Sequence, residues 1–314
     1  MSALRPRRAP VTVLGLALAL IAGAAVAPAA EAAAPPELPY AAFGDSITRA
    51  AATCGHSEAD CPENSWATGT SPEVHSLAAR LQETNPDRTV KADNFAKSGS
   101  RIADVAQAVS SAKAAGAAPE LITLLVGGND LCSPDVPAGP DGYAMTPAAD
   151  FSASATSLLK QITTTWPRAD VLVGSIPDIA SEWEAVQGTP GTLIWGLFSI
   201  CRTTRGALAD NRVQTGAAYE AAVAAAAERT RQYNDALAAA CAAAGPHCIW
   251  DGGALSRTPI TKDLLSTVDY FHPNVKGQAL IARVLWGPEG EPAEHGAPAL
   301  KDLEDLKDLD GLKY

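Results

Sequence analysis

The sequence predicts an α/β fold: a three-layer α/β/α sandwich around a doubly wound, mostly parallel, five-stranded sheet. Two observations carry this. Short apolar runs of strand length alternate with amphipathic or Ala-rich stretches of helix length along nearly the whole chain. The clearest run, "ELITLLVGGND", is continuously apolar and breaks at two glycines, which suits a parallel strand covered on both faces.

Taken in order, Ala41, Ala42 and Phe43 end a first short buried strand, and Gly44 punctuates a sharp exit from it. "SPEVHSLAARLQET" predicts a helix capped at Ser71, with Pro72 at its first position and Val74, Leu77, Ala78 and Leu81 on one face. "TVKADNFA" is a second strand ending at Ala96, followed by a loop and an Ala-rich helix that Gly116 stops. After the third strand, "PAADFSASATSLLKQITTTWP" reads as a helix and "ADVLVGSIPD" as a fourth strand. Residues 210–244 are mostly helix, with Tyr233 and Leu237 four apart on one face. "HCIWDGG" makes the fifth strand, and "PNVKGQALIARVLW" a closing helix that starts at Pro273.

At the N-terminus, Arg5, Arg7 and Arg8 precede an apolar run, Val11 to Val26, and then small-residue cleavage sites. This pattern predicts a secretory signal over residues 1–34 and an extracellular protein; the alternative is an uncleaved anchor. Residues 35–292 then form one domain. The tail, 293–314, is acidic and places leucines at 300, 303, 306, 309 and 312. A three-residue period drifts around a helix, so the tail is expected to be a solvated or loosely docked extension, with a partner-binding helix as the alternative. The net charge of −11 argues against nucleic acid or an anionic membrane surface as a partner. A monomer without a stable protein partner is expected.

Six cysteines in an exported chain suggest disulfides, against the alternative of free buried thiols. Cys54 with Cys61 and Cys241 with Cys248 are each seven positions apart, which leaves Cys132 with Cys201. No C-x-x-C pair occurs, so a zinc site is not expected.

Three predicted strand exits carry polar punctuation: Gly44-Asp45-Ser46, Ser98-Gly99-Ser100 and Gly127-Gly128-Asn129-Asp130. In an open α/β sheet this is the edge where ligands bind. Near the end of the chain stands "VDYFHPN". A serine hydroxyl needs a base, for which His272 is the candidate, and Asp269 lies three positions before it, close enough to hold the imidazole tautomer. An oxyanion needs preorganised donors, which the backbone N–H groups of Ser46 and Gly99 and the side-chain amide of Asn129 can supply. Asp130 reads as an orienting residue. The other histidines, His56, His75, His247 and His295, lack comparable surroundings.

The blocks "FGDSIT", "NFAKSGS", "VGGND" and "DYFHPN" resemble, in order, the four blocks of the GDSL or SGNH hydrolase family. The resemblance implies a flavodoxin-like sheet, catalytic Ser46, His272 and Asp269, an oxyanion hole of Ser46, Gly99 and Asn129, and no metal or cofactor. "DCPENSWATGT", "GGNDLC", "SIPDI" and "YNDAL" further resemble its phospholipase-B-like secreted branch, and "GGNDLC" accords with a Cys132–Cys201 bridge. The serine block ends in Ile47 and not Leu, a conservative departure. The implied activity is hydrolysis of carboxylic esters, with lipid or phospholipid acyl esters favoured over short-chain or acetylated-carbohydrate esters. A non-catalytic ligand-binding module is the rival on such a sheet. In "EWEAVQGTPGTLIWGLFSIC", Trp195, Leu197 and Phe198 are expected to line a groove for the acyl tail, the alternative being a helix buried in the core.

Overall fold

A computed structural model of the protein describes residues 34–55 and 57–287. The expected leader, apart from Ala34, and the 293–314 tail lie outside the described residues, as does His56. Five strands form one sheet: β1 (Glu37–Gly44), β2 (Thr89–Asn94), β3 (Leu121–Leu125), β4 (Asp170–Val173) and β5 (Cys248–Trp250). Their order is β2-β1-β3-β4-β5 and every neighbouring pair is parallel.

Alternation along the strands sorts their side chains into two cores. Ala41, Phe43, Ile122, Leu124, Val171 and Val173 face one helical layer. That layer holds α2 (Val105–Ala114), α4 (Ala148–Thr165), α5 (Ile179–Val186) and α7 (Ala217–Ala244). Tyr40, Ala42, Leu121, Leu125, Leu172 and Ile249 face the other, made by α1 (Leu77–Thr84) and α8 (Val275–Trp286). β3 and β4 are buried at every residue, whereas β2 alternates exposed and half-buried residues and puts Lys91 and Asp93 on its open side. Charges there discourage pairing with another chain.

Several helix starts differ from the sequence expectation, each for a local reason. Ser71 opens only a turn, because His75 adopts a φ of +49° that a helix cannot contain; α1 starts after Ser76, whose hydroxyl accepts the Ala79 N–H. Similarly, α8 is capped by Asn274, which accepts from Lys276 and Gly277, so Pro273 precedes the helix instead of opening it. Residues 210–216 lie outside α7, which begins after Gly216 at φ +58°. The chain forms three disulfides: Cys54–Cys61, Cys132–Cys201 and Cys241–Cys248. The second ties α3 (Gly128–Cys132) to the segment after α6 (Gly191–Leu197), across 69 positions.

Candidate active site

The site grows from the exit of β1. Gly44 has φ +155°, and a Cβ there would lie 2.4 Å from the Leu125 carbonyl oxygen and 2.5 Å from the Thr48 hydroxyl, so only glycine permits this close turn. Asp45 folds back to accept the Ile47 N–H at 2.9 Å. Ser46 thus sits at the strand's carboxyl end. It is 7% exposed, a more enclosed position than its polar sequence context implies.

Distant residues clamp this loop. Gln278 of α8 donates to the Ile47 carbonyl at 2.9 Å and accepts the Trp66 N–H at 3.0 Å. Asn94 and Ser65 both donate to the Thr48 carbonyl, and Ser266 to that of Ala52. A loop held from several sides keeps the backbone of Ser46 in place without further cost in entropy.

His272 comes to Ser46 across 226 positions, with Nε2 2.8 Å from the serine oxygen. Its Nδ1 lies 2.5 Å from the Asp269 carboxylate. The other oxygen of Asp269 accepts the N–H groups of Phe271 at 2.9 Å and His272 at 3.0 Å, so the acid also shapes the turn that carries the base. Burial alone pushes the Asp269 carboxyl up. The hydrogen bond and charge of His272, with the two backbone donors, outweigh it and hold the group below its ordinary range. The Asp269 side is therefore an anion that favours Nδ1–H, leaving Nε2 to accept the serine proton.

Two further loops face Ser46. Ser98 and Gly99 occupy the middle of a turn closed by Ser100 N–H to Lys97 O, and Gly99 has φ +83° with open space where a Cβ would stand. On α3, Asn129 donates one amide hydrogen to the Ser100 carbonyl at 3.0 Å, which leaves the other free to point elsewhere. Asp130, next in chain, accepts the Ile102 N–H at 2.9 Å and so locks the Gly99 and Asn129 loops together. Burial raises its carboxyl to about 6 against the pull of Ile102, Thr146 and Arg101.

These groups meet in a cleft of about 380 Å³ lined by Ser46, Gly99, Asn129, Asp269 and His272 on its polar side. Pro134, Phe198, Ile200 and Phe271 supply an apolar side, at the lower end of the size range of ligand sites. The acyl-groove expectation divides here. Phe198 lines the cleft and is 58% exposed. Leu197, 69% exposed, is not among the cleft-lining residues. Trp195 requires a correction: it is fully buried, stacks on Trp183 at 5.4 Å and donates its indole N–H to the Tyr270 carbonyl at 3.0 Å. It is an anchor of the turn that bears His272 and not a wall of the cleft. It shares the buried side of α6 with Gly191, where its indole finds both packing and an acceptor.

Ile200, in the apolar segment expected to line the groove, does line the cleft, whereas nothing in the sequence marks Phe271 or Gln278 for the site. Phe271 lies within the block "DYFHPN", but nothing in its spacing says which way its ring faces. Among the described residues, one group brings metal-ligating atoms together, Cys54, Cys61 and Glu63, and its two sulfurs are joined to each other.

Solved structures with related backbones include an extracellular lipase from Streptomyces rimosus, at 18% identity over 76% of this chain and 94% of that one, TM-score 0.39. A psychrotrophic esterase, EstA, from Pseudoalteromonas sp. is 15% identical over 80% of this chain and 95% of that one, TM-score 0.41. A Corynascus carbohydrate esterase family 2 enzyme with its carbohydrate-binding domain is 15% identical over 81% of this chain and 66% of that one, TM-score 0.46. Curated protein sequences gave no match. The sequence profile of the GDSL-like lipase/acylhydrolase family matches residues 42–280, from the first strand to the last helix. That span takes in every loop of the cleft, and the chain accordingly belongs to the GDSL-like lipase/acylhydrolase family, as a serine ester hydrolase.

Proposed function

We propose that the protein is an exported acyl hydrolase that cleaves lipid acyl esters through an acyl-enzyme on Ser46. The observation that carries this reading is the unbroken hydrogen-bonded chain from Asp269 through His272 to Ser46 at the mouth of a half-apolar cleft. Ser46 Oγ attacks the ester carbonyl carbon while its proton moves to His272 Nε2, and the carbonyl electron pair moves onto the oxygen. The N–H groups of Ser46 and Gly99 and the free amide hydrogen of Asn129 stabilise that oxyanion. Collapse breaks the bond to the alkoxy oxygen, which takes the proton from His272. Water then adds to the acyl group, giving a proton to Nε2, and the carboxylic acid leaves as that proton returns to Ser46. Asp269 stabilises the imidazolium in both halves.

Phe198, Ile200, Pro134 and Phe271 support an apolar chain beside the reacting carbonyl, which favours lipid over acetylated-carbohydrate esters. Three disulfides suit export to an oxidising compartment, in keeping with a leader at residues 1–34, a catalytic domain over 35–292 and a short tail. The reading is tested with a fluorophosphonate probe followed by peptide mapping. Label on Ser46, lost in His272→Ala, is the expected result. Label on another residue, or none on folded protein, would overturn it.

A further inference from the structure

Behind the turn that carries His272 lies a second concavity, which the reaction just described does not use. It is walled by Ile47, Ile179, Leu255, Leu265 and Ile281, with Leu264, Ile260 and Leu280 at its partly exposed rim. Phe271 belongs to this slot and to the catalytic cleft at once. Its ring meets that of His272 edge-on at 5.1 Å and that of Trp195 at 5.6 Å, so it stands as a fixed partition.

Two polar side chains interrupt the apolar lining: Thr258, whose hydroxyl donates to the Ala254 carbonyl at 2.9 Å, and Glu182. Glu182 of α5 is 3% exposed, and its Oε1 is buried without a hydrogen-bond partner. An unsatisfied buried oxygen destabilises the fold, a penalty that an aliphatic residue in this place would avoid. Burial first, and then the negative charges of Asp269 and Asp178, push the Glu182 carboxyl well above its usual range. The protonated form is favoured, and a protonated carboxyl is a hydrogen-bond donor. With the Thr258 hydroxyl hydrogen already given to Ala254, a slot whose one available donor is Glu182 fits a chain with a single acceptor at its end. The slot's room, about 40 Å³, takes roughly three small groups in file and no ring.

We infer that this slot is a second binding site, for an uncharged single-chain amphiphile whose terminal hydroxyl or carbonyl oxygen accepts from Glu182 while its first methylenes fill the apolar walls. Anions are excluded, because the charges of Asp269 and Asp178 already act on Glu182 and no Lys, Arg or His is among the slot's lining residues to receive a carboxylate. The site is independent of the ester chosen by the catalytic cleft, and ester hydrolysis releases molecules of the required class whenever the leaving group is an alkyl alcohol.

The test follows isoleucine methyl signals of the folded, disulfide-intact protein during titration with 1-hexanol. Saturable shifts at Ile179 and Ile281 are expected, retained in Glu182→Gln, which keeps a donor. Affinity should fall about fivefold in Glu182→Leu, the loss of one neutral hydrogen bond. Leu280→Trp, which fills the rim, should abolish the shifts. Sodium hexanoate at pH 8 should bind at least tenfold more weakly. Shifts that never saturate, equal affinity in Glu182→Leu, or hexanoate binding as tightly as hexanol would each overturn the inference. Should Glu182→Leu fail to fold, retention in Glu182→Gln with loss in Leu280→Trp supports it, and any other pair of results overturns it.

Discussion

Replacing Asp130 with Asn isolates the energetic cost of holding the two donor loops together with a buried acid. The carboxyl is 1% exposed and titrates at about 6, while in the unfolded chain it titrates at its ordinary value of 3.8. Because the folded value is the higher, the native state holds the proton longer as pH rises, so stability is lost between about 4 and 6. At roughly 1.4 kcal/mol per pH unit, the gap amounts to about 3 kcal/mol, all of it gone above pH 6. Asn has no proton to release. Whatever the amide contributes or costs against the Ile102 N–H is the same at every pH, so only the difference between the two proteins need be followed. Urea unfolding with disulfides intact, from pH 3.5 to 7.5, should show the difference moving toward the Asn variant by about 3 kcal/mol and levelling off near neutrality. A flat difference would mean that the carboxyl titrates as if in water. A reversed slope would mean that Arg101 and the Ile102 N–H stabilise the anion more than burial penalises it.

The remaining expectations concern turnover and packing. Ser46→Ala and His272→Ala should each lower kcat by a factor of about 10⁴ or more, and the double variant should be little worse than either, since the two act as one unit; additive losses would separate their roles. Asn129→Ala should lower kcat by about 10² to 10³ with KM nearly unchanged, because its donor matters mainly once the oxyanion forms, and an effect on KM alone would assign it to substrate binding. Trp195→Ala should cost about 3–5 kcal/mol in urea unfolding, as expected for an emptied aromatic site, and a loss below about 1 kcal/mol would contradict its place in the core. Phe198→Ala should leave stability within about 0.5 kcal/mol while lowering kcat/KM for long-chain esters about tenfold more than for acetyl esters; an equal loss on both would remove Phe198 from the acyl path.

What the sequence made legible was whatever local chemistry decides. Continuous apolar runs mark β3 and β4 because both faces of those strands are covered, and the polar exits after β1, β2 and β3 mark the edge where Ser46, Gly99 and Asn129 gather. Helix starts were less legible, because competing caps such as Ser71 and Ser76 differ only in the backbone angle of His75 between them. Which way an aromatic faces was illegible for Trp195 and Phe271, since the indole's acceptor, the Tyr270 carbonyl, lies 75 positions away and the Phe271 ring is set between its neighbour His272 and the distant Trp195. Glu182 is an intermediate case. In "IASEWEAV" it falls on the inward stripe with Ile179, Trp183 and Val186, so its burial was written in the helical period, though its lack of a partner was not.

Asp269 grips its own turn as well as the imidazole, and that makes the acid and the base a local cassette. Within it, the chain between the two residues is too short for their mutual geometry to drift far. The nucleophile is the separate part, arriving from the opposite end of the domain and held by Gln278, Asn94 and Ser266. Any loosening of the domain therefore falls on a single distance, the one between Ser46 and His272. Warming or mild denaturant should uncouple the serine while the imidazole is still oriented, so the enzyme's tolerance is set by the struts of the β1 exit loop and not by the stability of its acid–base pair.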